Sequence, residues 1–273
     1  MQSDIFEYLA RVRAMTIDSG TGAMRPRLFA SVGNLSGRDE SSRRDAPIDT
    51  RRFGVIGGLG TPASLYYHEK LIQFANSEHA SANFLIANAN FCLVKRLSQA
   101  GDRQSLAGYF ASLVKDLRSA GAKAAAISAV MPHICLPELQ EISPLPILDI
   151  VDAIKQRLLR DNLSRVALLG SRVTMETHLF GRLTEFELVD LTDAEMDEVQ
   201  RIYTSAQISG RATDGDRRLL RSLCEELQSK RGAQAIVIGG TDLASSFQEN
   251  EETFPIVNAA RVHVEAILAW AIA

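Results

Sequence analysis

From Phe53 onward, short apolar runs alternate with longer segments in which apolar residues recur every three or four positions. "FGVIGG" (53–58) is a continuous apolar run ending in glycines, the pattern of a strand covered on both faces. "PASLYYHEKLIQFANSE" (62–78) follows, with Pro62 at the first helical turn and Leu65, Leu71 and Phe74 at helical spacing. The same reading predicts strands over 83–90, 123–130 and 145–150, a helix near 104–120 and a short helix after Pro137. A second series predicts helix 151–160, strand 165–170, helix 175–183, strand 186–191, helices 194–208 and 213–230, and strand 233–240. An apolar run at 254–257 and an apolar helix over 259–272 complete the pattern.

Strand–helix alternation of this kind predicts an α/β fold with parallel sheets covered by helices. "FGVIGGLGTPAS" and "RVALLGSRVTMET" are both strand–glycine–loop–helix units. Two pseudo-symmetric, doubly wound lobes facing each other across a cleft are therefore expected. Residues 53–150 with 257–273 would form the first lobe, and 151–256 the second. Residues 1–52 differ: they hold nine arginines, no lysine and seven acidic residues, and "SGRDESSRRDAP" (36–47) reads as a polar linker. They are expected to form a partly flexible arm, in which 3–15 has a capped helical face that reads equally as an accessory helix docking on the body or a partner subunit and as a frayed leader.

Composition narrows the function. The chain has 273 residues, 46% hydrophobic and 23% charged, enough to bury a sizeable core. A formal net charge of −3 and no basic, aromatic-laced stripe argue against a nucleic-acid partner. No run reaches ~18 apolar residues, so no membrane span is expected. Cys92, Cys135 and Cys224 lack CxxC spacing and are odd in number, which favours free thiols in a reducing, cytoplasmic compartment. The five histidines are scattered, so no metal site is expected.

Ligands in open parallel sheets sit beyond the carboxyl ends of the strands. Three such ends carry small or polar residues here: Gly57–Thr61, Ala129–His133 and Gly239–Asp242. The first begins a GxGxxG pattern at Gly58 and Gly60 but has Ala63 where the third glycine belongs, and the later acidic residue is missing. A dinucleotide is therefore not expected. The glycines instead let the backbone approach a small ligand, whose carboxylate the helix N-terminus would favour.

The stretches "FGVIGGLGTPASLYYHEKL", "GAKAAAISAVMPHI", "PILDIVDA", "RVALLGSRVTME" and "GAQAIVIGGTDL" resemble, in order and spacing, the landmarks of the aspartate/glutamate racemase superfamily. The resemblance spans about 53–273 and is best with the amino-acid racemase branch. It implies two lobes related by a pseudo-two-fold, a site between them, no cofactor, a small carboxylate substrate and a homodimer. The superfamily's motifs are Cys-Asn-Thr-x-His and Gly-Cys-Thr-Glu, whose thiols work on opposite sides of the substrate α-carbon. Here the motifs read Ala129-Val130-Met131-Pro132-His133 and Gly239-Gly240-Thr241-Asp242. Both thiols are absent. Cys135 has no partner thiol, and all three cysteines read as packing residues.

The surviving polar groups supply the candidates. His133, Thr241 and Asp242 are the expected catalytic residues, His133 having a structural reading as well. Gly58, Thr61, Asn88, Arg96, Ala129, Val130, Met131, Thr174, Arg211 and Gly240 are the expected substrate contacts. Through the resemblance, Arg96 matches a carboxylate-binding arginine and Arg211 stands for a lysine near the site. Ser171 or Thr174 would cap a helix, Asn88 or Asn90 would face the cleft, and His263 reads as structural. Two functions stay open: an isomerase, lyase or cyclising enzyme without a thiol pair, acting on a small amino or hydroxy carboxylate, or a non-catalytic binder of a carboxylate or a protein partner.

Overall fold

Every strand from Phe53 onward falls in one of two four-stranded parallel sheets. The structure, a computed structural model, describes residues 15–17, 24–26, 50–77, 83–247 and 254–273. The expected linker over 36–47 lies outside the described residues. So does the expected helix over 3–15, except for Met15, which instead starts a short strand β1 (Met15–Ile17) antiparallel to β2 (Met24–Pro26).

The first lobe contains β3 (Phe53–Gly57), α1 (Thr61–Ser77), β4 (Phe84–Asn88), α2 (Phe91–Gln99), α3 (Arg103–Ser119), β5 (Ala125–Ile127), α4 (Leu136–Ile142) and β6 (Ile147–Leu148). Its strand order is β4-β3-β5-β6, with Val55 level with Ile86 on one side and Ala126 on the other. The second series comprises α5 (Ile150–Arg160), β7 (Arg165–Leu169), α6 (Arg172–Glu176), β8 (Glu187–Leu188), α7 (Asp193–Ser209), α8 (Asp214–Ser229), β9 (Ala235–Ile238), β10 (Ile256–Asn258) and α9 (Ala259–Ile272). Its sheet runs β10-β9-β7-β8, with Leu168 level with Val237. β3, β5 and β9 are buried at every position, as strands covered on both faces must be.

Each sheet carries a core on each face. Ile56 and Ile127 pack with Leu106, Phe110 and Val114 of α3. On the opposite face Phe53, Val55 and Ala126 meet Tyr67 and Leu71 of α1 and Ala260, Val264 and Ile267 of α9. In the second lobe Leu169 and Ile236 pack with Val199, Ile202 and Leu220 of α7 and α8, while Val166 and Val237 pack with Ile154 of α5 and Val262 of α9. Helix α9 therefore packs in cores of both lobes. Each fully buried aliphatic side chain contributes about 1.5–3 kcal/mol.

Several local expectations are corrected. Helix α2 was not expected: the Asn90 side chain accepts the Leu93 amide to start it, and Gly101, at φ 66°, follows its end before Asp102 caps α3. The helix expected over 175–183 is instead α6 followed by a left-handed turn, with φ of 50°, 55°, 62° and 71° at His178, Leu179, Phe180 and Gly181. The strands expected over 145–150 and 186–191 shrink to two residues each. No helix among the described residues is long and apolar enough to cross a membrane.

Candidate active site at the lobe junction

The end of β3 turns into α1 through a loop that only glycine can form. Gly58 has φ 75°, and a Cβ there would stand 2.9 Å from the Ala89 carbonyl oxygen. Its N–H donates to Ser64 Oγ at 3.0 Å, and Ser64 Oγ donates to the Gly60 carbonyl at 2.9 Å. Asn88 flanks the loop at the end of β4, beside Gly57. Thr61 is exposed at the start of α1.

Asp242 of the second lobe reaches this loop. A Cβ at Gly60, where φ is 151°, would lie 2.5 Å from Asp242 Oδ1. Asp242 is 1% exposed, in the turn Thr241–Ser246 after β9. Gln207 Nε2 donates to Asp242 Oδ2 at 3.1 Å, the Tyr203 phenol lies close to the carboxylate, and Oδ1 has no hydrogen-bond partner. Burial pushes the carboxyl up to about 6, against the opposing pull of Gln207, Tyr203 and the Ala63 amide. Burial, and then the charge of Asp242, push the Tyr203 phenol well above its ordinary value, so it stays protonated.

Gly240 precedes this turn, where the resemblance placed a thiol. A Cβ there would stand 2.9 Å from Tyr203 Cε2 and 3.2 Å from Gly170 Cα. The tyrosine ring fills the side-chain space. Thr174 is buried against Gly170 and Gly239, and the expected cap falls to Ser171, whose Oγ accepts the Thr174 amide at 3.2 Å. Thr241 is buried.

His133 is as enclosed as Asp242. It is 1% exposed, with Nδ1 against the Ala129 carbonyl at 2.9 Å and Nε2 unpartnered, 3.8 Å from Asp149 Oδ1. Asp149 in turn binds Arg182 and accepts the Val151 amide. Burial lowers the His133 pKa more than Asp149 raises it, so the ring is neutral at pH 7. Although burial acts to raise the Asp149 pKa, the net direction is downward; with His133 neutral, Arg182 is the partner that keeps Asp149 ionised. His263 lies beside this group, its ring 6.2 Å from His133, bonded to the Tyr67 hydroxyl at 2.7 Å and the Leu148 carbonyl at 2.8 Å. Burial, with a smaller contribution from His133, brings the His263 pKa down to about 3. Both ring nitrogens of His263 are bonded, whereas Nε2 of His133 is not.

The remaining candidates separate into two groups. Ala129 and Val130 are buried and Met131 is half-buried at the end of β5, Val130 packing with the second lobe's core. Arg96 and Arg211 are exposed, and among the described residues neither bonds to the groups around Asp242. The cysteines stay outside the site: Cys135 donates to the Pro132 carbonyl at 3.2 Å, its thiol pushed up to about 12 by burial, while Cys224 lies in the core and Cys92 is exposed. No cluster of three or more metal-ligating side chains occurs among the described residues. A separate cavity of about 390 Å³, lined by Leu168, Met175, His178, Asp190 and Met196 among others, contains none of the expected site residues. Tyr203 and Gln207 were not read from the sequence. Their spacing of four on α7 was the only signal, and it is shared by ordinary helix faces.

Comparison with known proteins agrees with this architecture. The Asp/Glu/hydantoin racemase family model matches residues 56–267, and the chain belongs to that family. A Yersinia pestis structure assigned to the Asp/Glu racemases superposes with a TM-score of 0.71 at 24% identity, covering 80% of this chain and 99% of the other. An aspartate racemase homologue from Pyrococcus horikoshii OT3 gives 0.66 at 23% identity, covering 80% and 99%. Picrophilus torridus aspartate racemase gives 0.65 at 17%, covering 81% and 95%. At these identities the likeness establishes the two-lobed fold.

Proposed function

We propose that this racemase-family chain moves a proton at a carbon atom of a small amino or hydroxy carboxylate, without a cofactor and without a thiol pair, in an isomerase-, lyase- or cyclisation-type reaction. The observation that carries this reading is Asp242: a buried carboxyl at the lobe junction with one oxygen unpartnered and a pKa of about 6. Carboxyl groups tuned toward neutrality suit general acid–base work. In the loop and first turn of α1 the Gly58 and Ser64 amides are bonded locally and Pro62 has none, so the amides of Leu59, Gly60 and Thr61 are the ones offered to the substrate carboxylate. Asn88 adjoins the glycine loop and Thr241 adjoins Asp242 in the chain, and in this reading both hydrogen-bond the substrate.

The test is solvent deuterium incorporation at the α-carbon of a panel of amino and hydroxy acids. Asp242→Asn is expected to lower exchange by at least about 100-fold while leaving the cooperative unfolding transition intact. A second reading, a binder without turnover, is supported by the enclosure of both Asp242 and His133. It predicts that a carboxylate raises Tm while no acid in the panel exchanges.

A further inference from the structure

The carboxyl ends of β7 and β8 flank a cavity of about 390 Å³ that the proton-transfer reading leaves unused. The size falls within the ~300–1,000 Å³ of small-molecule sites. Its floor is apolar: Leu168 of β7, Leu188 of β8, Met175 of α6 and Met196 of α7. Leu168 and Met175 are buried, and Met196 is half-buried. Two thioethers in such a floor adapt to the face of a planar ring.

The rim is polar. His178 Nε2 lies 3.0 Å from Asp190 Oδ1, and both side chains reach solvent. His178 comes to face Asp190 where α6 has stopped at Glu176 and the chain turns left-handed, with φ 50° at His178 itself, a conformation uncommon for a residue with a Cβ. Glu176 and Asp193 also line the rim, but Arg172 holds them at 2.6 and 2.8 Å and pairs with Asp197 as well. Three carboxylates thus saturate that guanidinium. Asp190 keeps hydrogen-bonding capacity, because each of its oxygens has two lone pairs and the imidazole uses one.

Asp190 also has a particular place in the chain. It stands two residues past the end of β8 and twenty past Gly170, the glycine that follows β7. In doubly wound sheets, an acid about twenty residues beyond the glycine turn of the first strand binds a ribose hydroxyl. The unit β7–Gly170–α6–β8–Asp190 has that layout, with β7 and β8 adjacent and parallel. The phosphate-binding fingerprint is missing: Arg172 and Met175 stand where its second and third glycines belong.

We infer that this cavity binds a purine nucleoside without phosphates. The base lies against Met175 and Met196, and the 2′- and 3′-hydroxyls donate to Asp190. The volume has room for a two-ring base and its sugar. The rim selects the nucleoside over the nucleotide, since Glu176, Asp190, Asp193 and Asp197 stand around one engaged guanidinium and would repel a phosphate. The site shares no residue with the Asp242 group, so it stands or falls separately from the proton-transfer reading.

The experiment titrates adenosine into the full chain carrying carbon-13 at its methionine methyls, followed by NMR. Saturable shifts at Met175 and Met196 are expected, with 2′,3′-dideoxyadenosine binding at least about tenfold more weakly and AMP also more weakly than adenosine. Asp190→Ala is expected to weaken adenosine about tenfold and to leave the dideoxy analogue unchanged. The analogue tests the hydroxyls on the unaltered chain, so the result does not depend on how the variant folds. Equal affinity for adenosine and its dideoxy analogue would make the cavity a general apolar hole and overturn the inference. So would tighter binding of AMP, butylammonium binding as tightly as adenosine, shifts confined to other methionines, or no saturation at millimolar adenosine.

Discussion

Residues 240 and 203 have complementary sizes. The absent side chain at Gly240 is the room in which the Tyr203 ring lies, and a Cβ there would stand 2.9 Å from that ring's Cε2. Restoring a thiol is therefore not a one-residue change. Gly240→Cys alone is expected to destabilise the protein by about 1–3 kcal/mol through overpacking. In a Tyr203→Ala background the same cysteine should cost little, because it enters the space that the ring has left. Urea midpoints for the two single variants and the double variant give the coupling. Additive losses would mean that the two positions do not compete for space.

At the scale of elements, the strands and long helices were readable because their burial is periodic and local. β3 and β9 are unbroken apolar runs, and α7 and α8 open with Thr192 and Thr213, each in a capping box. The failures lie where one side chain decides. Asn90 turns the end of a strand into a helix start, and the left-handed run at His178–Phe180 breaks what Leu179 and Leu183 make look like a helix face. The candidate site was half readable. Motif spacing led to Gly58, Gly240 and Asp242, but Tyr203 and Gln207 meet Asp242 across more than thirty positions, and no local pattern encodes that meeting.

The glycines themselves show how context sets the sign of a substitution. Gly60→Ala is expected to destabilise by about 1–3 kcal/mol, because its Cβ would meet Asp242 Oδ1 and its φ disfavours a side chain. Gly108→Ala, inside α3 with nothing within 4 Å of the added carbon, should stabilise by about 0.5–1 kcal/mol. Thermal unfolding of the two variants side by side checks both signs.

Over the whole molecule, the buried histidines set a pH dependence. Folding lowers the pKa of His263 from 6.5 to about 3 and lowers that of His133. Below pH 6.5 the unfolded chain binds protons that the folded chain refuses, so stability falls with acidification, by up to about 1.4 kcal/mol per pH unit for His263 until its folded value is reached, with His133 acting in the same direction. Asp242 acts in the opposite sense. Its pKa is raised from 3.8 to about 6, so between those values the folded chain binds the extra proton and gains stability as pH falls. Urea unfolding between pH 7 and pH 4.5 should show a net loss on acidification. Asp242→Asn should raise stability at pH 7 and make the decline steeper; an unchanged slope would mean that this carboxyl titrates normally.

Helix α9 packs on the Phe53 and Val55 face of the first sheet, although it is encoded after the whole of the second lobe. On the ribosome, α1 alone can cover that face until more than a hundred later residues have been joined. The nascent first lobe is thus a partly finished sheet with part of an oily side open to solvent, a natural client for a holdase. Supplying a separate peptide of residues 259–272 during translation would be expected to shield that side early and raise the soluble yield.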